Sequence, residues 1–267
     1  MDVRFETHGA VAVLTLDRPH ALNAISVDAL RELRVHLVEL REREDLRVAI
    51  LTGAGARAFC AGADLKGTQT SAASYAEAVF RGTERATDLG LYIRLMDLGD
   101  LGLCKPLIAA VNGHCLGAGL ELALQCDLRL ASSAASFGLP EARVGSIPGV
   151  SGLHRLLRAV PAAHAMQMAL TGERIDAAEA HRIGLVSEVT APDALLDRAL
   201  ALARVIASNA PLAVAAIKRL SRQTAHLGEA DAQQLTELYW GVLRDTEDRL
   251  EGRRAFAEKR PPAYRGR

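Results

Sequence analysis

Lysine is scarce in this chain of 267 residues: only Lys66, Lys105, Lys218 and Lys259 stand among its 32 basic side chains, and the others are arginine. Aromatic residues make up 4%, with a single tryptophan, and there is no net charge, because 32 acidic residues balance the 32 basic ones. Zero net charge removes the global basic field that draws a protein to nucleic acid or to an anionic membrane, so an anionic ligand has to be met locally. The four cysteines, Cys60, Cys104, Cys115 and Cys126, show neither CxxC pairing nor a Cys/His ligand rhythm. Their apolar surroundings predict buried, reduced thiols and no metal site. No uncharged apolar run reaches the roughly 18 residues of a membrane span, and the opening MDVRFETHGA lacks a basic start followed by an apolar core. These absences predict a cytoplasmic protein. What is present is 49% hydrophobic residues, and a chain of this length can bury roughly three quarters of its unfolded surface without disulfide or metal.

Alternating and β-branched runs predict strands at 11–16, 47–52, 107–111 and 127–131. Between the first two, Ser26 is a candidate N-cap for an amphipathic helix whose apolar face includes Val27, Leu30, Leu33, Leu37 and Leu40. From about Ala159 the pattern is mostly helical, with segments at 161–170 ending at Gly172, 176–183 ending at Gly184, 192–207, 211–222 and 228–244. The sequence past Ala191 is rich in Ala, Leu and Arg, which sets a boundary between a mixed α/β unit, 1–190, and a helical region, 191–267. Residues 67–100 are polar and weakly periodic, which predicts a mobile segment over a site rather than core.

Three patterns are excluded by their surroundings. Gly53-Ala54-Gly55-Ala56-Arg57-Ala58 matches the dinucleotide fingerprint GxGxxA, but small, turn-like residues follow where a phosphate-binding helix should start. Gly149-Val150-Ser151-Gly152 approaches a serine nucleophile elbow, yet Leu153 stands where glycine is needed, so Ser151 is assigned to a turn or helix cap. His114 and Cys115 are adjacent in sequence and so rarely face each other, which leaves Cys115 as packing.

Two segments remain that end strands in small residues: AFCAGADLK at 58–66 and NGHCLGAGLELA at 112–123. Small side chains let a ligand approach backbone N–H groups, and two such loops can present two donors to one oxygen. Glu121 lies in an otherwise apolar helix just past the second turn, where burying a carboxylate is costly without a purpose. Glu141 follows Pro140, and the Gly-rich turn 145–149 adds another exposed N–H. Two carboxylates and a set of donors are the parts needed to hydrate a conjugated double bond.

At these residues the sequence resembles the crotonase (enoyl-CoA hydratase/isomerase) superfamily. The resemblance rests on an ordered series: Leu16-Asp17-Arg18-Pro19 with Ala21-Leu22-Asn23-Ala24, AFCAGADLK, VNGHCLGAGLELALQCD, FGLPEARVGSIPG, TGERIDAAEAHRIGLVSEV and AFAEKRPPAY. It implies an α/β spiral of ββα units with a helical C-terminal region, 191–267, that builds homotrimers or dimers of trimers. It also implies an acyl-CoA substrate and no cofactor beyond that CoA, while the zero net charge and the lack of an apolar span predict neither a nucleic-acid nor a membrane partner. Carried over residue by residue, Ala63 and Ala118 supply oxyanion N–H groups, Glu141 exchanges the α-carbon proton, Glu121 activates water, and the Gly149 N–H helps position that water. Ala61, Lys66, Phe256 and Lys259 match CoA contacts. The implied reaction is reversible syn hydration of a trans-2-enoyl-CoA. The alternatives are a Δ3–Δ2 isomerase, a specialised acyl-CoA dehydratase, and, more distantly, a non-catalytic acyl-CoA or RNA binder. Ala118 replaces a common glycine, His20 a common lysine, and Ser151 and His154 the small and polar residues usual after the PG turn.

Overall fold

Every residue of VAVLTL is buried, as is every residue of VAILTG, which is the pattern of strands covered on both faces. In the computed structural model, which describes residues 1–64 and 75–267, the strands are Val3–His8 (β1), Val11–Leu16 (β2), Val48–Gly53 (β3), Ala58–Cys60 (β4), Leu107–Val111 (β5), His114–Leu116 (β6), Leu128–Ser132 (β7), Ser136–Gly138 (β8), Ile175–Asp176 (β9) and Glu188–Thr190 (β10). The helices are Val27–Glu42 (α1), Tyr75–Val79 (α2), Thr83–Asp88 (α3), Ile93–Met96 (α4), Ala118–Ala123 (α5), Gly152–Ala159 (α6), Ala162–Thr171 (α7), Ala177–Arg182 (α8), Leu195–Ala207 (α9), Pro211–Thr224 (α10), Glu229–Arg244 (α11) and Glu247–Ala257 (α12).

The strands form a large sheet of order β1-β2-β3-β5-β7-β10 and a small one of order β4-β6-β8-β9. Successive strands alternate between the sheets, β3 then β4, β5 then β6, β7 then β8, so the chain winds as a spiral with all neighbours from β2 to β10 in the large sheet parallel. One face of the large sheet, including Ala12, Leu14, Ala49 and Ala109, joins Leu30, Leu33, Leu37 and Leu40 of α1 in the main core. Burying each such leucine contributes roughly 1.5–3 kcal/mol. The opposite face, Val11, Val13, Val48, Ile50 and Ile108, packs against Leu195, Ala199, Leu200 and Ala203 of α9.

Local chemistry explains the helix ends. The Ser26 hydroxyl accepts from the Ala29 N–H and starts α1, while Gly172, left-handed at φ 63°, ends α7. Residues 83–101 correct the mobile-segment expectation: Ala86, Leu95, Met96, Leu98 and Leu101 are buried, and Arg34 of α1 binds the carbonyls of Leu95 and Asp97. Lys66 and 67–74 lie outside the described residues. The helical stretch starts earlier than expected, at Gly152, and β9 and β10 interrupt it. Among the described residues no single helix is long and apolar enough to cross a membrane; 192–207 and 211–224 pass such a test only as a pair bent by 105°.

Close approach of α5 to β4 places the small-residue turns side by side. A Cβ on Gly119 would lie 2.2 Å from the Cys60 carbonyl oxygen, so no side chain fits there, whereas a Cβ on Gly241 of α11 meets nothing within 4 Å. Gly119→Ala is expected to destabilise the fold by ~2 kcal/mol or more, and Gly241→Ala to stabilise it by ~0.5–1 kcal/mol, both read as shifts in urea unfolding midpoints.

Candidate active site

Strand β4 runs into Ala61-Gly62-Ala63, where Gly62 adopts φ 121°. A single parallel bridge joins Ile25 to Ala63. It uses the Ile25 N–H on the Gly62 carbonyl and the Asp64 N–H on the Ile25 carbonyl, both 2.9 Å, which turns the Ala63 N–H away from Ile25. Arg18 braces this turn, donating to Asp64 Oδ2 at 3.0 Å and to the Ala24 carbonyl at 2.7 Å. Asn23 is buried and donates to the carbonyls of Ala54 and Ala58, which fixes the entry to β4. The parallel turn after β6 passes through Gly117 at φ 51° and starts α5 at Ala118, whose N–H lies in the first helical turn and has no intrahelical acceptor.

The two turns meet Glu141 at Gly117. A Cβ there would stand 3.1 Å from Glu141 Oε1 and 3.9 Å from the Gly62 Cα, a tight fit that would displace the carboxyl, and the φ of 51° itself favours glycine. Glu141 sits in the 3-10 turn Pro140–Val144, and its Oε2 is buried with no hydrogen-bond partner among the described residues. Burial, with the nearby charge of Glu121 adding to it, pushes its carboxyl up to about 7. Glu121 is 3% exposed. Glu121 Oε1 accepts from the N–H groups of Val150 at 2.7 Å and Gly152 at 3.0 Å. Burial raises its proton affinity, and those two hydrogen bonds oppose the rise.

Gly62 and Gly117, the chain neighbours of Ala63 and Ala118, lie close together beside Glu141, whose carboxyl feels the charge of Glu121, and Gly149 precedes the loop that holds Glu121. The donors to Glu121, however, belong to Val150 and Gly152, backbone groups that sequence reasoning did not single out; the Ser-Gly pair at 151–152 is the one signal that marks such a turn. Ser151 is the N-cap of α6 by position, but its hydroxyl caps no backbone N–H and instead accepts from Arg155 Nε. Cys115 is buried as packing, and β4 rather than a helix follows 53–58. Phe256, 87% exposed, and Lys259 lie at the end of α12. Phe256 lines a cavity of about 540 Å³ with residues of the C-terminal region such as Leu212, Leu243 and Tyr264, apart from the glutamates. Lys105 and Lys218 are structural: Lys105 donates to the Leu40 carbonyl, and Lys218 pairs with Asp127 at 2.7 Å.

A family model described as Enoyl-CoA hydratase/isomerase matches residues 6–267. The chain belongs to the enoyl-CoA hydratase/isomerase family. Within it, an (E)-benzylidenesuccinyl-CoA hydratase of Thauera aromatica is 44% identical over 266 residues, covering 100% of both proteins. A carnitinyl-CoA dehydratase of Proteus mirabilis is 42% identical over 265 residues, 98% of this chain and 97% of the relative. The crystal structure of an enoyl-CoA hydratase from Bacillus anthracis superposes with a TM-score of 0.89 at 36% identity over 100% of both chains. The α/β spiral is therefore the crotonase-like fold of that family.

The Glu141 carboxyl carries a linkage signature. Its pKa rises from the ordinary 4.5 to about 7 on folding, so between those values the native state binds more protons than the unfolded chain, and stability falls as pH rises. Glu141→Gln removes that loss. Its unfolding midpoint is expected to match wild type below about pH 4, to exceed it increasingly as pH rises to about 7, and to hold that margin above, as followed by thermal denaturation at each pH.

Proposed function

We propose that the protein is a hydro-lyase that adds water reversibly, in the syn sense, across the 2,3 double bond of a trans-2-enoyl-CoA. The observation that carries this reading is the meeting, at two small-residue turns, of two carboxyl groups: buried Glu121, held by the N–H groups of Val150 and Gly152, and half-buried Glu141, whose Oε2 has no hydrogen-bond partner among the described residues. The relatives named as hydratase and dehydratase support the same reaction class.

In this reading the thioester carbonyl oxygen accepts from the N–H groups of Ala63 and Ala118, which stabilise the enolate as charge moves onto that oxygen. Losing one such donor typically costs about 3–4 kcal/mol of transition-state stabilisation. Glu121, ionised, takes a proton from water as the water oxygen bonds to the β-carbon, with the Gly149 N–H aiding its placement. Glu141, protonated, gives a proton to the α-carbon. The proton taken by Glu121 then resets Glu141 through exchange with water, so the sum is addition of one water. The different treatment of the two carboxyl groups suits these roles: the backbone donors favour charge on Glu121, and burial keeps a proton on Glu141 to about pH 7.

Ala61, Lys66, Phe256 and Lys259 are proposed to meet the CoA, which is the only cofactor-like group required. The region 191–267 is proposed as the oligomerisation region of a trimer or dimer of trimers in the cytoplasm. Exposed Leu238, Trp240 and Val242 on α11 support a partner chain there.

The test is loss of the conjugated enoyl absorbance of crotonyl-CoA, extended to a panel of acyl-CoA thioesters that includes benzylidenesuccinyl-CoA and carnitinyl-CoA. Glu121→Gln and Glu141→Gln should each slow hydration by ~10²-fold or more. Full activity in either variant contradicts the assignment. Conjugated product accumulating from a 3-enoyl-CoA with negligible hydration would make the protein a Δ3–Δ2 isomerase instead. In wild type, hydration kcat should decline as pH rises through about 7, because Glu141 loses the proton it has to deliver.

A further inference from the structure

Ser151 stands between the two backbone donors that hold Glu121, and it is left-handed, at φ 60° and ψ 15°. A left-handed residue at this point is what lets the N–H groups on either side of it converge on one oxygen, as in an anion-binding nest. Glycine adopts that conformation freely, whereas serine does so at a cost. Gly152, next in the chain, cannot carry a side chain: a Cβ there would lie 2.7 Å from both Glu121 Cγ and Oε1. The Ser151 hydroxyl is not idle in this geometry. It accepts from Arg155 Nε at 3.0 Å, one turn along α6, and the Arg155 backbone N–H bonds the Ser151 carbonyl, also at 3.0 Å. Arg155 is half-buried, so its guanidinium is held against α6 and not spread in solvent.

We propose that Ser151 and Arg155 are positioning residues: their hydroxyl–guanidinium contact latches residue 151 in its left-handed conformation and so keeps the N–H groups of Val150 and Gly152 on Glu121. The latch acts on the reaction through Glu121, and in that respect it rests on the hydratase reading given above. The charged and titratable groups around it are Glu141 across the site, Asp97 after α4, His154, Arg155 and Arg158 on α6, and Arg222 on α10. Two aligned N–H donors favour the ionised form of Glu121, so a loosened nest raises its proton affinity.

The experiment is a 13C NMR titration of the glutamate side-chain carboxyls in the full chain, with Glu121 assigned by its loss in Glu121→Gln, set beside kcat against pH for crotonyl-CoA. Ser151→Ala keeps the arginine charge and leaves a residue still strained in the left-handed region, so it removes the latch alone. Arg155→Met removes it from the other side. In both, the Glu121 midpoint should rise by on the order of half a unit or more, with the acid limb of kcat moving the same way while KM stays within about twofold. A Glu121 midpoint unmoved in either variant overturns the proposal. If the midpoint moves as expected while Glu121→Gln and Glu141→Gln retain full activity, the latch stands and the hydratase reading falls.

Discussion

Two carboxyl groups lie near one another, Glu121 buried and Glu141 half-buried with its Oε2 shut off from solvent, and two convergent backbone N–H groups hold Glu121. That asymmetry is the constraint on which the rest of the arrangement depends. Without partners, two neighbouring carboxyls in a low dielectric both tend to protonate, and neither is then left as a base. The N–H groups of Val150 and Gly152 favour charge on Glu121 against the burial that raises its proton affinity, while burial pushes the Glu141 carboxyl up to about 7. The pair titrates as a unit, and its apparent acidities belong to both groups.

The fold serves that asymmetry through backbone more than through side chains. Parallel strands β4 and β6 end level with one another in the small sheet, which places the turns at Gly62 and Gly117 side by side. Gly119 lets α5 lie against β4, and this orients Glu121 across toward the N-terminus of α6. Asn23 fastens the entry to β4 and Arg18 the turn that leaves it. None of these residues touches the candidate reacting groups, yet each fixes where a backbone N–H points.

Much of this was legible in the sequence where side-chain pattern carries the information. The largely apolar β2, the Ser26 cap with its leucine stripe and the stop at Gly172 all read directly, because burial and capping leave a trace in residue type. Glu121 stood out as a carboxylate in an apolar helix. What stayed hidden has physical reasons. The edge strand β1 buries Val3 but leaves most of its remaining residues exposed or partly so, and its alternation is weak. Strands β4, β6 and β8 are three residues each, shorter than any periodicity. Helix α12 is highly charged, and its start is marked only by the Thr246 cap. Segment 83–101 reads as polar because a few buried residues, Leu95 and Met96 foremost, anchor short helices whose other faces carry charge. The nest around Glu121 is made of main-chain N–H groups, and these have no letter in the sequence.

The central claim is that at neutral pH one proton resides on this pair and that it sits on Glu141. Infrared difference spectroscopy across a pH titration of the substrate-free protein measures it directly, through the C=O stretch of a protonated carboxyl. The account predicts one such band that titrates at about pH 7, disappears in Glu141→Gln and persists at lower pH in Glu121→Gln, where the neighbouring charge is gone. A neutral-pH spectrum without a protonated carboxyl, or a band that survives Glu141→Gln, would contradict it.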